Sequence, residues 1–243
     1  MTHKATKSPA HGLTKIHLLL SVQSLVVVLV SINRLSSLTL GYVAQNQFLR
    51  WVDFNNMLIL PLASVVAFYL LKKQVEYHSQ VFEGRAHMAL NLSFIVGVYL
   101  LAVSYGNHEV TNYLNARFCG NADSGDLCRI IIFNDDTFSH WLFFAGFVLI
   151  NAALMFLQVV FPHVEKVSRG NAALLIINGL FIGVGIFANL AFEEIGLDLY
   201  VIALLAALAF ILLWRRGAEP LFIYYAAAYG IGLAATFLYT TFL

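Results

Sequence analysis

The stretch Trp141-Leu-Phe-Phe-Ala-Gly-Phe-Val-Leu-Ile-Asn-Ala-Ala-Leu-Met-Phe-Leu-Gln-Val-Val-Phe161 carries no charged residue, and Leu142–Leu157 is apolar on every side. A helix needs about 20 mostly apolar residues to cross about 30 Å of hydrocarbon, and this stretch is long enough. A membrane-spanning β-strand would alternate apolar and polar positions, which it does not. Six other segments read the same way: Thr14–Ile32, Asn56–Leu71, Met88–Tyr105, Ala172–Phe192, Leu199–Trp214 and Leu221–Phe242. The predicted fold is all-α: a bundle of seven transmembrane helices forming a single domain over residues 1–243. Composition agrees. The 243 residues are 60% hydrophobic and 11% charged, with mean hydropathy +0.79, against about 45–50% and about 25% in soluble domains. Such a chain has too much apolar surface to hide in a water-soluble core and too little charge to be disordered.

Lysines and arginines set the expected orientation. The side bearing the N-terminus and the loops near Lys72–His87, Pro162–Asn171 and Arg215–Pro220 holds ten of them: Lys4, Lys7, Lys15, Lys72, Lys73, Arg85, Lys166, Arg169, Arg215 and Arg216. The other side holds four, Arg34, Arg50, Arg117 and Arg129. The imbalance places the N-terminus, with a tail over residues 1–13, in the cytoplasm and the C-terminus outside. Plasma or inner membrane is the expected location, and the first apolar stretch reads as a retained helix with no cleavage site. The basic residues are spread over short segments, so no nucleic-acid partner is expected.

Residues 106–140 read as a long extracytoplasmic loop containing both cysteines, Cys119 and Cys128, which flank an Asn/Asp/Ser/Gly turn. On an oxidising face such a pair forms a disulfide. Within the spans, Gly179-xxx-Gly183 and Ala228-xxx-Gly232 mark expected close helix crossings, because small residues let backbones approach in lipid. The polar groups at membrane depth are mainly amides: Gln23, Asn91, Asn151, Gln158, Asn178 and Asn189. Ionisable residues inside the predicted spans are nearly absent.

The extracytoplasmic span ends are richer. They read Ser104-Tyr-Gly-Asn-His108-Glu109, Phe133-Asn-Asp135-Asp136-Thr-Phe-Ser-His140 and Glu193-Glu194, with Asp53-Phe-Asn55-Asn56 opening the second span. Asp136 and His140 are four apart and share a face on a continuous helix. His108, Glu109, Asp136 and His140 make a chemically sensible acid–base set, since a carboxylate orients an imidazole and tunes its proton affinity. His108, His140, Glu193 and Glu194 make an alternative ligand set for zinc or iron. The plainer reading is a solvated acidic rim in which Asp135 and Asp136 cap a helix.

Two resemblances bear on cofactors. Arg50-Trp-Val-Asp53-Phe resembles the Arg-aromatic-x-Asp-aromatic stretch in the third helix of microbial rhodopsins. Those proteins hold retinal on a lysine of the seventh span. Leu221–Leu243 contains no lysine and only one span precedes Arg50, so a retinal Schiff base is excluded. Ser104-xxx-His108 is similar to the first zinc element of the membrane hydrolases that include alkaline ceramidases and adiponectin-type receptors. Their later His-xxx-His has no counterpart here, because no histidine follows His163.

Two functions follow as expectations. One is an accessory or binding subunit, or a receptor-like module, within the bilayer, with other membrane subunits or a lipid-soluble small molecule as partner. Scarcity of charge inside the spans favours it, since transport and proton pathways keep ionisable residues there. The alternative is a membrane enzyme acting on a lipid-soluble substrate through the His/carboxylate group.

Overall fold

The computed structural model describes residues 10–77, 84–119, 125–192 and 196–242. The described residues are 86% helix, and no strand occurs among them beyond an isolated bridge between Tyr42 and Arg50. Among the described residues seven helices are long and apolar enough to cross a membrane, which makes this an integral membrane protein. They are α1 (Ala10–Leu35), α2 (Trp51–Glu76), α3 (Arg85–Phe118), α4 (Asp126–Val160), α5 (Arg169–Phe192), α6 (Leu197–Arg216) and α7 (Pro220–Phe242).

Each predicted span lies on one of these helices, but α3 and α4 run far beyond the apolar stretches. At 1.5 Å per residue, the 34 residues of α3 extend about 51 Å, well past the hydrocarbon thickness. Among the described residues the expected loop 106–140 is therefore mostly helix, over 106–118 and 126–140. Neither Asn107–Phe118 nor Asp126–His140 contains a Gly or Pro to stop a helix. Cys119 and Cys128 are bonded to each other, with Cα atoms 5.6 Å apart.

The chain divides into two compact units. One, called here the Tyr229 unit, comprises Met1–Ser24, Ala67–Met88 and Leu154–Leu243. Its core is α7, where Leu221, Phe222, Tyr224, Tyr225, Ala228 and Tyr229 are all buried and the rings of Tyr225 and Tyr229 stack at 5.6 Å. The small-residue crossing read from the sequence is present. A Cβ on Gly179 would come within 2.8 Å of the Tyr224 carbonyl oxygen, and one on Gly183 within 3.0 Å of that of Ala228. Ser24 Oγ donates to Asn178 Oδ1 at 3.1 Å, and Asn178 Nδ2 donates to its own helix at Leu174 O. Glu76 accepts from Lys72 Nζ at 2.6 Å and meets His87 Nε2 at 2.8 Å. Glu219 accepts the His163 N–H at 2.8 Å. Burial pushes the Glu219 carboxyl above its ordinary value, and that N–H offsets part of the rise.

The other, the His108 unit, comprises Leu25–Val66 and Ala89–Ala153. Here α3 and α4 touch through backbone: a Cβ on Gly146 would fall 2.8 Å from Gly97 O and 2.9 Å from Leu101 N. The segment joining α1 to α2 folds back on the start of α2. Gly41 O accepts from Trp51 N at 2.9 Å and Thr39 O from Val52 N at 2.9 Å, which satisfies two of the first-turn donors that a helix leaves open.

Candidate functional site

Two helices of the His108 unit contain a π turn, Asn55–Ile59 in α2 and Phe133–Phe138 in α4. A π turn admits an extra residue and leaves the helical ladder imperfect, so it persists where other groups compensate. Both are supported in the same way, by an amide from a neighbouring helix. Asn33 of α1 donates Nδ2 to Val52 O at 3.0 Å and to Asn56 Oδ1 at 2.8 Å. Asn107 of α3 donates Nδ2 to Asn134 O at 2.9 Å and to Ser139 Oγ at 2.8 Å. Ser139 Oγ also donates to Asn134 O at 2.6 Å, and Ser104 Oγ donates to Ser139 O at 2.8 Å.

Three carboxylates of this unit are almost wholly buried, and each has its own cationic or imidazole partner. Asp53, 1% exposed, takes two bonds from Arg50, Nε to Oδ2 at 2.7 Å and Nη2 to Oδ1 at 2.8 Å. The carboxylate in turn holds the Arg50 guanidinium above its ordinary value. Glu109, 2% exposed, meets Arg34 Nη2 at 2.5 Å. Asp135, also buried, lies 2.8 Å from His108 Nδ1 and accepts from Thr111 Oγ1 at 3.2 Å. Burying a charge is costly unless it is paired and hydrogen-bonded, and all three meet that condition. All three lie outside the apolar stretches read as spans, on the parts of the helices that extend beyond them.

His140 lies beside His108, with ring centroids 5.5 Å apart, and also meets Phe144 edge-on at 6.2 Å. Of the acid–base set read from the sequence, His108 and His140 are thus brought together. Glu109 follows His108 directly and turns instead to Arg34. Asp136 is exposed, and it is the preceding Asp135 that contacts His108. The π turn accounts for this. One extra residue in the turn rotates the face presented by about 100°, so Asp135 takes the contact with His108 while Asp136 stays within charge range of His140. Asn33, Arg34 and Asn107 also escaped the sequence reading. Their signal was a cluster of polar residues at the end of an apolar run, which span termini show in any case.

For a metal, His108 and His140 are adjacent, whereas Glu193 and Glu194 lie outside the described residues. Among the described residues no group of three His, Cys, Asp or Glu side chains converges as a metal ion requires. Of the membrane-depth amides, Asn151 and Gln158 serve backbone: Asn151 Nδ2 donates to Phe147 O at 2.7 Å and Gln158 Nε2 to Phe161 O at 2.9 Å. Chemically, the arrangement can exchange protons at the two imidazoles, with a buried carboxylate fixing the orientation of one of them. No protein family matches this chain, and no match to it exists among curated proteins or solved structures.

Proposed function

We propose that the chain is a receptor-like binding module of the plasma or inner membrane, with its N-terminus in the cytoplasm, whose response is set by protonation of His108 between Asp135 and His140. The observation carrying this reading is the 2.8 Å contact of buried Asp135 with His108, next to a second imidazole and on a π turn. Histidine is the side chain that changes charge between pH 5 and 8. The groups facing the pair are Asp135, Asp136, Glu109 and Arg34. Charge on His108 alters the balance that holds Asp135 inward, and a π turn can respond by changing register. The ten-to-four lysine and arginine count supports the orientation. Other membrane subunits or a lipid-soluble molecule remain the partners that a module of this kind engages.

Tryptophan emission in lipid nanodiscs tests the reading. Trp51 and Trp141 report on this unit, and a Trp214→Phe background silences the third tryptophan. The emission is expected to change sigmoidally between pH 5 and 8 and to stop doing so in His108→Asn/His140→Asn. A flat wild-type profile, or one unaltered by the double substitution, refutes the proposal.

A second reading, an enzyme acting on a lipid-soluble substrate, is favoured by the same contact. Asp135 lies against Nδ1 of His108, which leaves Nε2 as the nitrogen for proton exchange with a substrate. In that reading His108 and His140 exchange protons with substrate while Glu109 and Asp136 shape the local field. Its metal-bearing form, with zinc or iron on His108, His140, Glu193 and Glu194, predicts stoichiometric metal that is lost on His108→Ala/His140→Ala.

A further inference from the structure

The His108 unit contains four cations, and three of them face a carboxylate: Arg34 with Glu109, Arg50 with Asp53, and Arg129 with Asp126. Arg117 is the exception among the described residues. Its Nη1 donates to the carbonyl oxygen of Gln47 and to the phenolic oxygen of Tyr113, both neutral acceptors. Its guanidinium stands 5.4 Å from the Phe118 ring, 5.7 Å from Tyr113 and 5.9 Å from Phe48. Nε and Nη2 make no bond to any described residue.

This charge borders an open groove of about 240 Å³ whose other walls are Phe48, Leu49, Val110, Leu114 and Phe118 with Tyr113. Drug-sized sites occupy roughly 300–1,000 Å³, so the groove suits part of one alkyl chain and not the paired tails of a phospholipid. Gln47 holds the guanidinium in place. It has φ 57°, a left-handed conformation that costs a non-glycine residue and persists only where its surroundings enforce it. Its carbonyl oxygen also accepts from Tyr113 Oη at 2.5 Å. The guanidinium is thus oriented from one edge, with the remaining edge available for a planar, two-oxygen anion.

We propose that this groove binds a single-chain anionic amphiphile, a long-chain fatty carboxylate, with its head on Arg117 and the start of its chain between Leu49, Val110 and Leu114. The site is separate from the imidazole pair and does not depend on its titration. The test uses the full chain in phosphatidylcholine nanodiscs with radiolabelled palmitate as probe. Wild type is expected to bind saturably, near one palmitate per chain. Arg117→Gln is expected to weaken binding at least tenfold and Arg117→Lys to recover part of it, since an ammonium supplies charge without the fork. Leu114→Trp fills the groove without touching the charge and is expected to weaken binding as well. Arg129→Gln, whose charge is already paired, is expected to bind as wild type. Hexadecanol, which has the chain without the anion, is expected not to compete. Unchanged binding in Arg117→Gln, or hexadecanol competing as well as unlabelled palmitate, overturns the proposal. Equal competition by phosphatidylglycerol also overturns it, by assigning the site to a two-chain lipid.

Discussion

Replacing Arg50 with Met removes both hydrogen bonds to Asp53 and leaves a carboxylate that is 1% exposed without its cation. Breaking a buried ion pair from one side costs about 3–5 kcal/mol, because the surviving charge cannot regain water. The reverse change, Asp53→Asn, leaves a guanidinium that is 21% exposed and 5.2 Å from the Tyr113 ring. That cation keeps some solvent and a cation–π contact worth about 0.5–2 kcal/mol, so the expected cost falls to about 1–3 kcal/mol. The double variant Arg50→Met/Asp53→Asn carries no stranded charge. It is expected to be more stable than Arg50→Met alone, although it has one further substitution. Thermal unfolding in nanodiscs followed by circular dichroism reads the difference. At roughly 2–4 °C per kcal/mol for a chain of this length, Arg50→Met should lower Tm on the order of 10 °C and Asp53→Asn on the order of 5 °C. Equal losses in the two single variants, with simple addition in the double, would show that the pair is not the buried, mutually dependent unit described above.

Gly179→Val forces a side chain into the Tyr224 carbonyl oxygen and the Ala227 Cβ, at 2.8 and 2.9 Å from an added Cβ. It should cost about 1–3 kcal/mol or more through overpacking, read as a lower Tm, whereas Gly106→Ala, with open space around it, should not. Glu219→Ala removes the acceptor of the His163 N–H and should cost about 1–3 kcal/mol, while Glu219→Gln keeps an acceptor. Because the Glu219 carboxyl is raised in the folded protein, its stabilising contribution is complete below the ordinary glutamate value and is lost as pH rises through the raised one. Glu219→Gln should therefore flatten that part of the stability–pH curve and be at least as stable as wild type at neutral pH; a steeper curve would contradict it. After reduction, Cys119 in sealed right-side-out cells should react with an impermeant thiol reagent, and labelling only in inverted vesicles would reverse the proposed orientation.

The helices were legible because each apolar run is long and free of charge, a signal that survives any detail of packing. Their true lengths were not, because polar residues such as Asn107, Thr111 and Asn115 fit a helix as readily as a loop once α3 leaves the hydrocarbon. Cys119 and Cys128 could be paired by spacing and turn composition. The ion pairs could not be read, since nothing local to Arg34 announces that Glu109, 75 positions away, will meet it. Asp136 was preferred over Asp135 by the arithmetic of a regular helix. That arithmetic fails where the turn widens, and single-sequence periodicity holds no mark of a π turn. His108 and His140 were found because imidazoles at adjoining span ends are few, and α3 and α4 cross near enough for them to touch.

The contact between Gly97 and Gly146 has a consequence for how freely this protein can change over generations. Most of the apolar surface of α3, including Leu92, Ile95 and Tyr99, is exposed, so in the bilayer one greasy residue there can replace another with little effect. Gly97 has no such latitude, because any larger residue would wedge apart the helices carrying His108 and His140. Drift should thus be broad over the exposed apolar positions of α3 and arrested at Gly97.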